Sequence, residues 1–147
     1  MDFLRSLLVK NQVNKHSSFI WNASNKKFNT IKIIKSIDLD LLIGIDRQKK
    51  SLYENTLNFA KGNFTNNALL WGARGNGKST LVKSIFLKIL NINHNIKLIQ
   101  LNKNHLFDIE IIYDLIYKYN KFKFILFIDD LSFEKIDSDY KIIKSTL

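Results

Sequence analysis

The 147-residue sequence contains no cysteine and no proline, and it has no long apolar run. The lack of cysteine excludes disulfides and cysteine-based zinc sites, and it is compatible with a reducing compartment. No apolar run approaches the roughly 20 residues that a membrane-spanning helix needs. Asp2 and Arg5 interrupt the short apolar patch at the start, and no small-residue cleavage site follows it, which argues against a signal peptide. We therefore expect a soluble, cytoplasmic protein with no membrane partner.

Acidic residues are also scarce. There are 13 Asp and Glu against 23 Lys and Arg, which gives a formal net charge of +10. A basic protein can attract nucleic acid, so a nucleic-acid partner stays open. The alternative is a generally lysine-rich composition, which the scattered lysines and the abundance of Asn and Ile favour. The three histidines, His16, His94 and His105, are far apart and show no metal-ligand spacing.

The length predicts a single domain, and the 46% of apolar residues can form a sizeable core. Residues 1–37 are expected to form a basic, irregular arm. Its part from Asn11 to Thr30 is rich in Asn, Ser and Lys, and Phe19, Ile20 and Trp21 provide an aromatic anchor. We expect this anchor to dock onto the domain's own surface, and a partner site is the alternative. Residues 38–147 are expected to form the N-terminal part of the core.

Hydrophobic periodicity in the core predicts alternating strands and helices. Continuous apolar strands joined by amphipathic helices indicate an α/β fold with a parallel sheet and flanking crossover helices. The expected helices run from Asp46 as N-cap to Gly62 as C′ residue, from Lys78 to Leu90, and through a stripe of Leu106, Ile109, Tyr113 and Ile116. The expected strands are Ala68–Trp71, Ile96–Leu101 and Phe124–Ile128.

A glycine-rich segment between the first strand and the second helix fits the phosphate-loop pattern G-x-x-x-x-G-K-[ST]. Glycines let the backbone wrap closely around a phosphate, and the helix N-terminus that follows favours an anion. Lys78 would reach the β- and γ-phosphates of ATP, and Ser79 would bind Mg²⁺. The alternative is an ordinary glycine turn with an incidental Lys-Ser pair. The segment comprises Gly72, Ala73, Arg74, Gly75, Asn76, Gly77, Lys78 and Ser79, and we add the next residue, Thr80, to the expected nucleotide contacts.

Two carboxylates follow the last apolar strand. Asp129 and Asp130 lie roughly 50 residues after Ser79, at a strand end where a carboxylate can hold the water shell of Mg²⁺. Asp129 is the candidate for the metal, and Asp130 is the candidate to orient or deprotonate the attacking water. The alternative for such a pair is a capped turn.

The chain resembles a bacterial family of AAA+-type predicted ATPases, the domain of unknown function eight-one-five. The resemblance covers roughly residues 38 to 147. Three segments carry it, namely Leu-Leu-Ile-Gly-Ile-Asp at 41–46 followed by Asn55-Thr56, Leu-Leu-Trp-Gly-Ala-Arg-Gly-Asn-Gly-Lys-Ser at 69–79, and Ile-Asp-Asp-Leu-Ser-Phe-Glu at 128–134 continuing through Tyr140-Lys141 to Lys144-Ser145.

The resemblance implies an AAA+-like core in which Ile43, Gly44 and Ile45 line the adenine. The alternative for these residues is a turn that packs Ile45 into the core. AAA+ proteins usually carry Glu after the metal-site Asp, whereas Asp130 stands here, so Glu134 is a second candidate for the catalytic base. The sensor residue and the arginine finger of such proteins cannot be located in this sequence.

The expected function is a Mg²⁺-dependent ATPase that couples ATP binding and hydrolysis to action on an unknown protein or nucleic-acid partner, with a homo-oligomer possible in the full-length protein. A P-loop kinase of a small acceptor and a nucleotide-binding module without turnover are the alternatives. The apolar stripe of Tyr140, Ile143 and Leu147 ends without a helix stop signal. In the AAA+ core a further strand after this helix lies between the loop strand and the acidic strand. We therefore expect this chain to be an N-terminal fragment with low stability and little turnover alone.

Overall fold

The protein is described by a computed structural model over residues 10–131. These residues form two compact units, one made of residues 10–32 and 97–131 and the other of residues 33–96. The predicted tail helix and Glu134 lie outside the described residues. In residues 10–131, no helix is both long enough and apolar enough to cross a membrane.

The first unit contains a four-stranded, mostly parallel sheet with the strand order β2-β1-β3-β4. Its strands are β1 (Ser18–Asn22), β2 (Lys27–Thr30), β3 (Ile96–Asn102) and β4 (Lys123–Asp129). β1 and β2 form an antiparallel hairpin, while β1 runs parallel to β3, with Phe19 opposite Ile99. A short helical segment, α1, covers residues 10–15, and α4 (Ile109–Tyr117) lies between β3 and β4 in the chain.

The hairpin corrects the prediction of an irregular arm. Phe19, Trp21 and Phe28 are buried in one hydrophobic cluster with residues of β3 and α4. Trp21 and Phe28 meet edge to face, with ring centroids 5.5 Å apart. The apolar run in residues 18–22 is only three residues long, which is too short to stand out from its Asn- and Ser-rich surroundings. Pairing with β3 supplies the backbone partners that a strand needs. The predicted anchoring of the aromatic residues on the protein's own surface is confirmed in a stronger form, since they belong to the core.

A buried carboxylate ties the hairpin to the start of α4. Asp108 accepts hydrogen bonds from Trp21 Nε1 at 2.8 Å and from Lys26 Nζ at 2.7 Å. Burial acts to raise the pKa of Asp108, but these two hydrogen bonds and the Lys26 charge outweigh it and lower that pKa below its ordinary value.

The third predicted helix begins differently from the expectation. Residues 103–108 form a 3₁₀ helix that leads into α4. Leu106, Ile109 and Ile112 are buried, whereas Tyr113 is 37% exposed, so the predicted stripe was wrong at Tyr113. A 3₁₀ helix has three residues per turn, so the residues that face the core differ from those that a continuous α-helix would bury.

The second unit contains α2 (Asp46–Ala60), α3 (Lys78–Leu90) and a 3₁₀ turn, Leu39–Leu41. The predicted bounds of α3 are confirmed. At α2 the N-cap is Ile45 rather than the predicted Asp46, which is the first helical residue. Gly62 is the C′ residue as predicted, with φ +85°. Its N–H donates to Phe59 O and that of Asn63 to Asn58 O, which is the Schellman arrangement.

The expected strand Ala68–Trp71 is not formed. Residues 63–71 have no regular secondary structure, and Leu69 and Trp71 are 63% and 85% exposed. A strand requires a neighbour for its backbone groups, and no strand within residues 10–131 pairs with this segment. The apolar pattern alone was therefore insufficient to produce a strand here.

Candidate functional site

The glycine-rich segment forms an exposed loop that leads directly into α3. Gly72, Gly75 and Gly77 have φ values of +140°, +83° and +73°, and Gly77 is the N-cap of α3. Backbone with positive φ is costly for residues that carry a Cβ, so the loop path depends on these glycines. Residues 72–76 are exposed, and Gly77, Lys78, Ser79 and Thr80 are half-buried. The loop is thus accessible to solvent at a helix N-terminus.

Lys78 folds back over this loop. Its Nζ donates to Gly72 O at 2.9 Å and to Ala73 O at 2.7 Å. The ammonium group therefore lies beside the carbonyls at the start of the loop, although Lys78 itself is the first residue of α3. This arrangement places one positive charge next to the N-terminus of the helix, where the backbone dipole also favours an anion.

The segment before α2 lies against the loop. A Cβ added to Gly77 would be 3.7 Å from Leu42 Cδ2, so the Leu42 side chain lies beside the last glycine of the loop. The next residue, Ile43, is 88% exposed, while Ile45 is half-buried. Gly44 has φ +79°, which lets the chain turn between them. The structure therefore brings the expected adenine-lining residues to the side of the expected phosphate-binding residues.

Asp129 and Asp130 lie at the end of β4, in the other unit. Both are exposed. Asp130 has φ +58°, and its N–H donates to Asp129 Oδ1 at 2.9 Å. The positive φ of Asp130 and this hydrogen bond agree with the capped-turn alternative. Their expected roles toward Mg²⁺ and water stay predictions.

Two residues that sequence reasoning missed hold the segment beside the loop. Lys49 Nζ donates to the carbonyls of Leu39 and Leu42, and Ser84 Oγ donates to Ile37 O. A lysine in a first helical turn and a serine inside a helix are common surface residues, so the sequence carries no signal for these contacts. The partners are backbone atoms, which no side-chain pattern reveals.

A family model described as protein of unknown function (DUF815) matches residues 14–147. The chain belongs to the DUF815 family. The DUF815 match extends well before residue 38, where the resemblance read from the sequence begins, and it includes both strands of the hairpin. The hairpin is therefore part of the family's shared region rather than an unrelated arm. No curated protein and no solved structure matches the chain.

Proposed function

We propose that this protein binds Mg²⁺-ATP on the loop from Gly72 to Ser79 and acts as an ATPase of the AAA+ kind. The observation that carries this proposal is the loop itself. Its three glycines have positive φ, it leads into the N-terminus of α3, and Lys78 is bent over it. Each of these features has a reason in phosphate binding, because a phosphate needs close backbone approach, N–H donors and a cation.

In the bound state, Lys78 would exchange the carbonyls of Gly72 and Ala73 for oxygens of the β- and γ-phosphates. Charged acceptors bind an ammonium more strongly than neutral carbonyls do, so the exchange is favourable. Ser79 and Thr80 lie in the first turn of α3. The Ser79 hydroxyl is the donor atom for Mg²⁺ in this proposal, and Ala73, Arg74 and Asn76 supply backbone groups around the phosphates.

The base of the nucleotide would lie against Ile43, Gly44 and Ile45. Support comes from the position of Leu42 beside Gly77 and from the 88% exposure of Ile43. An isolated exposed isoleucine is common in proteins, but this one directly follows Leu42, whose side chain lies beside the last glycine of the loop. An apolar side chain there would be covered by a bound adenine.

Asp129 would complete the metal site, and Asp130 or Glu134 would position the attacking water. Asp is one methylene shorter than the Glu that is usual in AAA+ proteins, so slow or conformationally gated turnover is expected. Action on a protein or nucleic-acid partner and assembly into a homo-oligomer follow from the AAA+ assignment and are part of the same proposal.

Equilibrium binding tests the proposal directly. Titration calorimetry of the chain with a non-hydrolysable ATP analogue in the presence of Mg²⁺ should show saturable binding with one site per chain. Inorganic tripolyphosphate should compete with the analogue, because the loop recognises the phosphates. No heat of binding, together with an unchanged melting temperature at millimolar analogue, would contradict the proposal.

A further inference from the structure

Residues 36–45 form a strap that joins the region before the 3₁₀ turn to the start of α2. Lys49, in the first turn of α2, donates hydrogen bonds to strap carbonyls at both ends of the 3₁₀ turn. Its Nζ donates to Leu42 O at 2.8 Å and to Leu39 O at 3.3 Å. Its side chain is 16% exposed, and a carboxylate oxygen of Asp46 lies 3.3 Å from the ammonium group. The ammonium group is therefore largely shielded from solvent and links the two ends of the 3₁₀ turn.

The strap is held from α3 as well. Ser84 Oγ donates to Ile37 O at 2.7 Å, and Ser36 Oγ lies 2.6 Å from Ser84 Oγ. The two hydroxyls share a hydrogen bond, and Ser36 Oγ also lies 3.3 Å from Ile37 O. Ser84 is 4% exposed. The helix that begins at the phosphate loop thus also carries the attachment point for the start of the strap.

These contacts fix the part of the strap that faces the loop. The carbonyl of Leu42 accepts a hydrogen bond from Lys49, and the side chain of Leu42 lies beside Gly77. Ile43 follows directly and is exposed. The orientation of Ile43 relative to the loop is therefore set by the two carbonyls that Lys49 holds, rather than by burial of Ile43 itself.

We propose that Lys49 is a positioning residue for nucleotide base recognition, acting through the strap on Ile43, Gly44 and Ile45. This inference rests on the proposed nucleotide site. The ammonium of Lys49 is engaged by the strap carbonyls and by Asp46, so it contributes order to the base side of the site and no contact to the phosphates. Removing it allows the strap to sample other arrangements. If the strap of such a variant adopts the binding-competent arrangement only about a tenth of the time, the apparent Kd for the nucleotide rises about tenfold.

The test compares a ligand that has a base with one that lacks it. Lys49→Met keeps the aliphatic stem and removes the ammonium. It should weaken binding of the non-hydrolysable Mg²⁺-ATP analogue by about tenfold and change binding of inorganic tripolyphosphate by less than about twofold. Lys49→Arg keeps donors for the two carbonyls and should restore the analogue's affinity to within about threefold of wild type.

Lys50→Met is the matched control. Lys50 is the next residue of α2, its side chain is 78% exposed, and it lies 4.0 Å from Glu54. The substitution removes the same charge from the same helix without touching the strap, so both ligands should bind as in wild type.

Equal losses for the two ligands in Lys49→Met, an unchanged affinity for the analogue, or an equal effect of Lys50→Met would each overturn the inference. If circular dichroism shows that Lys49→Met does not fold, the Ser84→Ala variant provides the test instead. It removes the hydrogen bond from Ser84 that holds the start of the strap at Ile37. It should give the same selective loss for the analogue, and a loss that is equal for tripolyphosphate, or no loss, would overturn the inference. If wild type binds neither ligand, the proposed function itself fails, which is a distinct result.

Discussion

Replacing Lys78 by alanine gives the sharpest test of the phosphate loop. In the structure, Lys78 Nζ donates to two loop carbonyls, Gly72 O and Ala73 O. When ATP binds, these two bonds are exchanged for bonds to phosphate oxygens. A hydrogen bond that involves a charged group contributes about 1.5–3 kcal/mol. Because the ammonium is charged in both states, its bonds to neutral carbonyls lie at the low end of this range and its bonds to charged phosphate oxygens at the high end. The exchange of two bonds therefore leaves a net gain of about 2–3 kcal/mol for the nucleotide complex.

Lys78→Ala should accordingly weaken binding of a non-hydrolysable Mg²⁺-ATP analogue by about 30- to 150-fold, since 1.4 kcal/mol is a factor of ten. Titration calorimetry measures this change, and circular dichroism of the free variant checks that α3 still forms. Alanine is a good helix former, so the first turn of α3 should be retained.

Lys83→Ala is the matched control for Lys78→Ala. It removes the same charge from the same helix, five residues further on, where Lys83 is half-buried. It should change the affinity by less than about twofold, because salt screens a charge at that distance from the loop. Equal affinities of wild type and Lys78→Ala, or equal losses in the two variants, would refute the assignment of Lys78 to the phosphates.

Three further predictions concern carboxylates. Asp129→Asn should retain nucleotide binding but lose much of its Mg²⁺ dependence, because the amide keeps the shape and lacks the charge; titrations with and without Mg²⁺ that match wild type would exclude Asp129 as the metal residue. In the full-length protein, Asp130→Ala or Glu134→Ala should slow single-turnover hydrolysis about a hundredfold or more, and wild-type rates in both variants would reject both as the base. Asp108→Asn should destabilise the chain by about 1–2 kcal/mol at pH 7, a value reduced because Lys26 is 42% exposed. The folded-state pKa of Asp108 is lowered, so this stabilisation is complete when the pH is above the unfolded-state pKa of about 3.9. It is lost as the pH falls through the folded-state pKa. A difference between the melting curves of wild type and variant that persists at lower pH would contradict this prediction.

The helices were predicted well because their signals are local. The bounds of α3 follow from Gly77 before the helix and from the apolar residues that recur along one face. The C-terminus of α2 follows from Gly62, whose positive φ permits the Schellman turn. In both cases the residues that determine where the helix begins or ends lie within a few positions of that point.

The strands were predicted less reliably. β3 and β4 were predicted correctly to within one residue at every end, since continuous apolar runs are typical of buried strands. The hairpin was missed, and Ala68–Trp71 was predicted as a strand that does not form. Whether a short apolar segment becomes a strand depends on a hydrogen-bonding neighbour, and that neighbour is remote in sequence. Phe19 is thus paired with Ile99, eighty positions away.

The sequence by itself determined the chemistry of the proposed phosphate site, because the loop glycines, Lys78 and Ser79 all lie within eight consecutive residues. Only the tertiary structure decided what surrounds that loop. Leu42 lies beside Gly77, and Lys49 and Ser84 donate hydrogen bonds to carbonyls of the strap. These interactions join backbone and side-chain atoms from separate segments. Backbone carbonyls are present at every position of every sequence, so their choice of donor is decided only when folding brings the segments together.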